Sequence, residues 1–319
     1  MKTVATTDAP HIATALDDAV FARFRELIYR EAGIALTDMK KALLVGRLAG
    51  RLRELGLPSL ESYYAIVSDP AAADERKRML DRICTNETQF FRDGRQFQFL
   101  DERVFPLLEA RADDGAPKRV RAWSAACSTG EEPYSLAMSL LARFPPETGW
   151  QVEVVATDLS TKVLRAAQAG LWPIDKAEDI PVRHRKAFML KGTGTQTGKM
   201  KAGPELRNVV SFDRLNLNDD IYPVHGPFDF IFCRNVLIYF DLPSKTRVVT
   251  RLLDHLAPGG YLFLGFAETA TGINDQLVSV GPNVYARAEP GVRSCEPSAS
   301  ARASADTSDS PLDAESDEA

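Results

Sequence analysis

What this chain lacks narrows its chemistry before any motif is read. Its four cysteines, Cys84, Cys127, Cys233 and Cys295, lie far apart and form no C-x-x-C pair, which argues against a disulfide framework and a structural zinc site. The four histidines, His11, His184, His225 and His255, are as scattered. The expectation is a reduced, cytoplasmic protein without metal. No apolar run is long enough to span a bilayer, and the densest one, Phe228 to Phe240, is broken by Asp229, Arg234 and Asn235. The opening residues carry no apolar stretch of the kind a secretory signal needs. Charge of one sign is also missing from the bulk of the chain. Net charge is -5, but residues 289–319 hold eight acids and two bases, a balance of -6 that leaves the remainder at +1. A near-neutral body offers no bulk attraction to nucleic acid.

What remains is the composition of a soluble globular protein, with 45% hydrophobic and 26% charged residues. Residues 1–15 read as a flexible N-terminus. Residues 289–319, rich in Ser, Ala, Asp and Pro, have no apolar face to bury and read as a disordered acidic tail. Residues 16–90 have helical periodicity throughout. Val20, Phe24, Leu27 and Ile28 form one stripe ahead of Gly33. Thr37 or Asp38 can cap a helix running to Leu55, Ser59 can cap another to Val67, and a fourth spans about Asp74 to Ile83. Residues 91–118 read as a linker and connecting helix. From Arg119 to Ala288, short β-rich runs (119–125, 151–157, 209–215, 228–233, 261–266) alternate with helical stretches, which predicts a parallel α/β sheet covered on both faces. Pro258-Gly259-Gly260 reads as a turn before the fifth strand, and residues 278–288 as a closing hairpin. The interval 171–208 is too long for an ordinary connection and reads as an inserted subdomain with a short helix and a loop-rich hairpin.

Polar residues gather where the carboxyl ends of these strands should be, and ligands of open α/β sheets bind there. The first strand runs into Ala125-Ala126-Cys127-Ser128-Thr129-Gly130-Glu131-Glu132-Pro133. These are small residues that let backbone approach a ligand, with Ser128 or Thr129 available to cap the next helix. Alone, such a turn is no more than a common βα connection. Asp158, at the tip of the second strand, can accept hydrogen bonds from both hydroxyls of a ribose, or can cap the helix that follows. The two together favour an adenosine-containing ligand. A pyrophosphate calls for G-x-G-x-x-G, whereas this turn has Gly130 followed by two carboxylates, which suits a cation. S-adenosylmethionine carries a sulfonium, an amino group and a ribose, and has no phosphate. Arg234, Asn235 and Tyr239 end the fourth strand, where Arg and Asn in a buried setting require partners; they read as a cleft lining or as a local cap.

The segments TNETQFFR (85–92), WSAACSTGEEPYSLAM (123–138), ATDLS (156–160), FDFIFCRNVLIYFD (228–241) and LAPGGYLFLG (256–265) together resemble the chemotaxis receptor methyltransferases, the CheR-type protein-glutamate methyltransferases. GLP (56–58) and the R-L-x-x-R-L-R run (47–53) are similar to that family's helical domain. The resemblance implies a Rossmann-like S-adenosylmethionine-dependent methyltransferase sheet (119–288) behind an all-helical N-terminal domain (16–90), with 171–208 as a small inserted β-subdomain. In some members that subdomain docks a receptor's C-terminal peptide. It implies that Asn86, Thr88, Arg92, Ala125, Glu131, Asp158, Asn216, Leu217, Arg234 and Asn235 line the S-adenosylmethionine site, and that Arg92 and Tyr239 lie near the transferred methyl. One departure is visible: Phe266-Ala267-Glu268 follows Gly265, where the family often has His or a small polar residue.

The implied reaction moves a methyl from sulfonium sulfur to a receptor glutamate and leaves S-adenosylhomocysteine. A glutamate is ionised at neutral pH, so no base is required, consistent with the scattered histidines. On the second helix, Lys40, Arg47 and Arg51 form a basic stripe beside the apolar stripe Leu44, Leu48, Leu52 and Leu55. The basic stripe is either a solvated face or a surface for acidic receptor helices. The expected partner is the cytoplasmic domain of methyl-accepting chemotaxis receptors, met by a monomer without nucleic acid or membrane insertion. The other reading is an S-adenosylmethionine-binding scaffold of a chemosensory array.

Overall fold

The computed structural model describes residues 16–288; the expectations for residues 1–15 and 289–319 lie outside the described residues. Helix α1 (Asp18–Ala32) begins where the Asp17 carboxylate accepts from the Ala19 N–H, and it ends at Gly33 with a left-handed φ of 69°. Helix α2 (Lys41–Leu55) follows a single 3-10 turn at Asp38–Lys40. The expected cap does not form: Thr37 makes no capping bond, and Asp38 accepts from Arg25 instead. Ser59 caps α3 (Leu60–Val67) in a reciprocal box with Ser62, and α4 (Ala73–Ile83) completes the unit. Leu44, Leu48 and Leu52 join Phe24, Tyr63 and Met79 in one core. Leu55 leaves its predicted stripe and is 38% exposed at the end of α2.

Residues 94–113 form nearly continuous helix: α5 (Gly94–Phe99), a π-helical turn at Leu100–Val104, and α6 (Phe105–Asp113). Then β1 (Arg119–Ala125), α7 (Glu131–Arg143), β2 (Gln151–Asp158) and α8 (Thr161–Ala169) alternate as the β-branched runs predict. The chain next makes an excursion through β3 (Leu171–Pro173), α9 (Val182–Phe188), β4 (Met189–Lys191) and β5 (Lys199–Ala202). These strands form a three-stranded antiparallel sheet in the order β3-β5-β4, which is more regular than the expected hairpin. Helix α10 (Pro204–Val209) returns the chain to β6 (Val210–Arg214), β7 (Phe228–Cys233), α11 (Leu242–His255), β8 (Leu256–Leu264), β9 (Leu277–Gly281) and β10 (Val284–Arg287).

The main sheet has the order β6-β2-β1-β7-β8-β10-β9. Pairing is parallel from β6 to β8 and antiparallel at β10 and β9. Pro258-Gly259-Gly260 is a bulge inside β8 and not a turn before it. The register with β7 shifts there, and a Cβ on Gly260 would lie 2.9 Å from the Asp229 carbonyl oxygen, so the close strand approach needs glycine. One face of the sheet packs Leu136 and Leu140 of α7 with Trp172 and Met200 of the small sheet. The other packs Trp123 against Val248 and Leu252 of α11. Strand order reverses between β1 and β7, which opens a crevice at their carboxyl ends.

Candidate active site

The turn between β1 and α7 is tight because Ala126 (φ 81°), Ser128 (φ 51°) and Gly130 (φ 97°) all take left-handed backbone. Glycine is required at 130, since a Cβ there would sit 2.9 Å from the Ala167 Cβ on α8. Neither Ser128 nor Thr129 caps α7. The Ser128 hydroxyl donates to the Asn86 carbonyl, and Thr129 donates to Glu131. The turn aims the Ser128 N–H at Asp158 Oδ2 over 2.8 Å, while Oδ1 accepts from the Ser160 N–H over 2.9 Å. The capping role at α8 belongs to Ser160, so Asp158 is free to face the crevice. Burial pushes its pKa above the ordinary value, and the backbone N–H bonds oppose that rise.

The crevice is a cavity of about 540 Å³, within the usual range for a small-molecule site. Among the sequence-predicted residues it brings together Asn86, Thr88, Arg92, Asp158, Asn216, Leu217, Arg234, Asn235 and Tyr239, with Lys40 at the helical side. Ala126, Ser128 and Glu132 complete the wall toward β1. Asn216 is occupied: its Nδ2 donates to the Glu31 carbonyl (2.7 Å), and its Oδ1 accepts from the Asn218 N–H (3.0 Å).

Residues 85–93 form a strap across the crevice. Phe90 is buried with its ring edge-on to Trp172, centroids 5.0 Å apart. The Phe91 N–H donates to Ser135 Oγ (2.9 Å). Phe91 and Asp93 both have left-handed φ, 49° and 57°, a conformation costing roughly 1–2 kcal/mol per non-glycine residue. The guanidinium of Arg234 holds the strained strap down. Its Nε donates to Glu132 Oε2, and its Nη1 donates to the Arg92 carbonyl and to Gln96 Oε1, each over 2.8 Å. Its side chain is only 2% exposed. Gln96 in turn donates to the Leu264 carbonyl at the end of β8 (2.7 Å). Among the described residues the Arg92 side chain is engaged only with the Glu87 carbonyl, over 3.3 Å, which leaves its fork available to the cavity.

Four expected site residues are elsewhere. Ala125 is fully buried within β1, and its neighbour Ala126 lines the cavity. Glu131 is fully buried and accepts from Lys176, which the small β-subdomain segment supplies, and from Thr129. Arg47 donates to the Cys84 carbonyl (2.6 Å) and to Thr85 Oγ1 (3.0 Å), closing the end of α4. Arg51 forms a two-bond pair with Glu75 (2.8 and 2.6 Å) and a bond to Glu54 (2.9 Å), and these carboxylates raise its pKa. Of the three, Lys40 alone lines this cavity, while Arg47 and Arg51, partnered as above, line a second cavity of about 510 Å³ with Arg78, Arg82 and Lys162. Sequence reading passed over Glu132 and Gln96 as site residues. The available signal was Arg234 itself, because a buried arginine on a strand demands a carboxylate.

The cavity lining thus includes the carboxylates of Asp158, served by backbone N–H groups, and Glu132, and it lacks a phosphate-type glycine loop. That donor set suits the ribose and cationic sulfur of S-adenosylmethionine. The same lining carries Arg92, Lys40 and Tyr239, a setting for an anionic acceptor.

The sequence profile described as "CheR methyltransferase, SAM binding domain" matches residues 86–286, and "CheR methyltransferase, all-alpha domain" matches residues 19–84. The chain is similar to "Chemotaxis protein methyltransferase 2" of Pseudomonas aeruginosa, 38% identical over 271 residues, covering 84% of this chain and 92% of the relative. It is 37% identical over 273 residues to the "Chemotaxis protein methyltransferase" of Escherichia coli, covering 85% and 92%. The protein of that name from Borreliella burgdorferi is 32% identical over 264 residues, covering 82% and 92%.

Proposed function

The chain belongs to the CheR methyltransferase family, and from that premise we propose that it methylates glutamate side-chain carboxylates of chemotaxis receptors. It is an S-adenosylmethionine-dependent methyltransferase. The observation that carries the substrate reading is one cavity lined both by the carboxylates of Asp158 and Glu132 and by Arg92, Lys40 and Tyr239. When bound, S-adenosylmethionine supplies an electrophilic methyl on a cationic sulfur. Asp158 accepts from ribose hydroxyls with the lone pairs its two backbone bonds leave free. The strap and its Arg234 clasp close the crevice and exclude water, which strengthens every charge interaction inside. The acceptor glutamate, with an ordinary pKa near 4.3, arrives ionised, so no side chain has to remove a proton. Arg92 orients that carboxylate with its planar fork, and the Tyr239 hydroxyl helps hold the reacting groups. The protein's work is alignment more than acid–base chemistry.

Asn86, Thr88, Asn216, Leu217 and Asn235 form the remaining wall of the donor site, with Arg234 acting through the strap. Lys40 meets the acidic cytoplasmic helices of the receptor. The reaction takes place in the cytoplasm, with the enzyme acting as a monomer. No observation favours a non-catalytic scaffold. The test is incubation with methyl-labelled donor and candidate receptors, followed by base-labile release of labelled methanol. Label that stays off every receptor while the protein binds S-adenosylhomocysteine would reject the proposal.

A further inference from the structure

The residue that fixes the acceptor site lies outside the cavity. Glu268 follows β8 in the short turn Gly265–Glu268, closed by its own N–H donating to the Gly265 carbonyl (2.9 Å). It is 5% exposed. Its carboxylate reaches across to the loop after β7. Oε2 accepts from the Asn235 N–H (2.9 Å) and the Gly265 N–H (2.6 Å), and Oε1 accepts from the Ile238 N–H (3.2 Å). Among the described residues it takes part in no ion pair. Three backbone dipoles carry the whole burden of a buried charge, which costs free energy unless the geometry is well kept. Asn235 is left-handed (φ 57°), and Leu237–Tyr239 is a lone 3-10 turn, so neither segment has a helix or strand to hold it. Space for the carboxylate comes from Gly265, where a Cβ would lie 2.7 Å from both Glu268 Oε2 and the Asn235 nitrogen. Asn283, in the turn between β9 and β10, anchors Glu268 in turn by donating to its carbonyl.

We infer that Glu268 is a positioning residue for methyl transfer: it pins the loop Asn235–Tyr239 to the end of β8 and so sets where Tyr239 stands in the cavity. The inference rests on the methyl-transfer reading above. A purely structural cap would stabilise the fold without controlling turnover, and the two roles separate in the variant Glu268→Gln. Glutamine keeps the shape but presents one amide NH2, so at least one of the three N–H groups faces a donor and its anchor is lost.

The experiment compares wild type and Glu268→Gln in three measurements. These are amide exchange at residues 235–239, affinity for S-adenosylhomocysteine, and kcat on receptor. Exchange in the loop should rise by about ten-fold and kcat should fall by about ten-fold, while donor affinity, to which Asn235 is one contributor among several, falls by clearly less than kcat and the protein remains folded at the assay temperature. Glu268→Asp keeps the charge but not the reach; it should show the same split, and it serves if the glutamine variant does not fold. Unchanged exchange, unchanged kcat, or a donor affinity that falls in step with kcat would each overturn the inference. Absence of methyl transfer by the wild type on every receptor would instead sink the methyl-transfer reading, and the exchange measurement would still report on the anchor.

Discussion

Replacing Asp158 is the sharpest perturbation of the donor site. Each carboxylate oxygen already accepts one backbone bond, from Ser128 at 2.8 Å and Ser160 at 2.9 Å. Each oxygen therefore keeps one acceptor site for a ribose hydroxyl. Hydrogen bonds to a charged acceptor are worth about 1.5–3 kcal/mol net. With two such bonds lost, about 3–6 kcal/mol, Asp158→Ala should weaken S-adenosylhomocysteine by roughly hundred- to ten-thousand-fold, as each 1.4 kcal/mol is a factor of ten. The substitution also strips two buried N–H groups, so folding must be verified by thermal unfolding, and Asp158→Asn, which keeps one acceptor, should fall between. Acidity supplies a second signature. Burial raises the Asp158 pKa above the ordinary value of 3.8. The folded state thus holds this proton more tightly than the unfolded chain, and the group's contribution to stability falls as pH rises through that window. Donor binding runs the other way. It requires the ionised form, so affinity should decline on acidification from a pH above the ordinary carboxylate value, and Asp158→Ala should lack that component. Calorimetric titration measures both effects. A folded alanine variant with affinity within about two-fold of wild type would refute the ribose assignment, since it would leave less than ~0.5 kcal/mol for these bonds.

Arg92→Ala should lower methylation rate far more than donor affinity, with Arg92→Lys recovering part of the loss because the ammonium keeps charge without the fork; steady-state kinetics beside calorimetry decides, and near-normal turnover removes Arg92 from the acceptor site. Arg234→Met should destabilise the protein by about 3–5 kcal/mol because it leaves Glu132 buried without its partner, read as a large drop in Tm, and an unchanged Tm would show that the strap is held by something else. Lys40→Glu should raise the KM for receptor at constant Tm, whereas Arg51→Ala should lower Tm through loss of its Glu75 and Glu54 bonds; equal effects of both on KM would restore the basic stripe as a docking surface.

Those last two residues show where sequence reading stops. Along α2 and the 3-10 turn before it, Lys40, Arg47 and Arg51 are three cations at helical spacing, and nothing local tells whether acids from another helix answer them. Glu75 of α4 and the carbonyls at the end of α4 do answer, and that information is tertiary. Glu131 and Glu132 make the same point at finer scale. Adjacent positions on a helix point about 100° apart, so one carboxylate turns toward Lys176 and the other toward Arg234. Choosing between them requires the orientation of α7. By contrast, the strand–helix alternation, the α1 stripe, the Ser59 cap and the acid at the tip of β2 depend on local pattern and on a general property of parallel sheets. They were open to inspection from residue order alone. The bulge at Pro258-Gly259-Gly260 was not, because its glycine answers a neighbouring strand and not a turn.

The helical unit does more than stand beside the sheet. The last carbonyls of α1 have no partner within their helix, and the loop after β6 supplies them: Asn216 donates to the Glu31 carbonyl and Asn218 to the Arg30 carbonyl. Immediately beyond, the Ala35 N–H donates to the Tyr239 carbonyl over 2.8 Å, and Ile34 pairs with Phe240. Tyr29 donates to Asp241, the residue that caps α11. Every one of these contacts lands on a segment that lines the cavity or adjoins it. The loop bearing Tyr239 is consequently gripped from two directions, by Glu268 on the sheet side and by Ala35 on the helical side. The helical unit is therefore tied by hydrogen bonds to Asn216 and to the loop bearing Tyr239, both of which line the cavity.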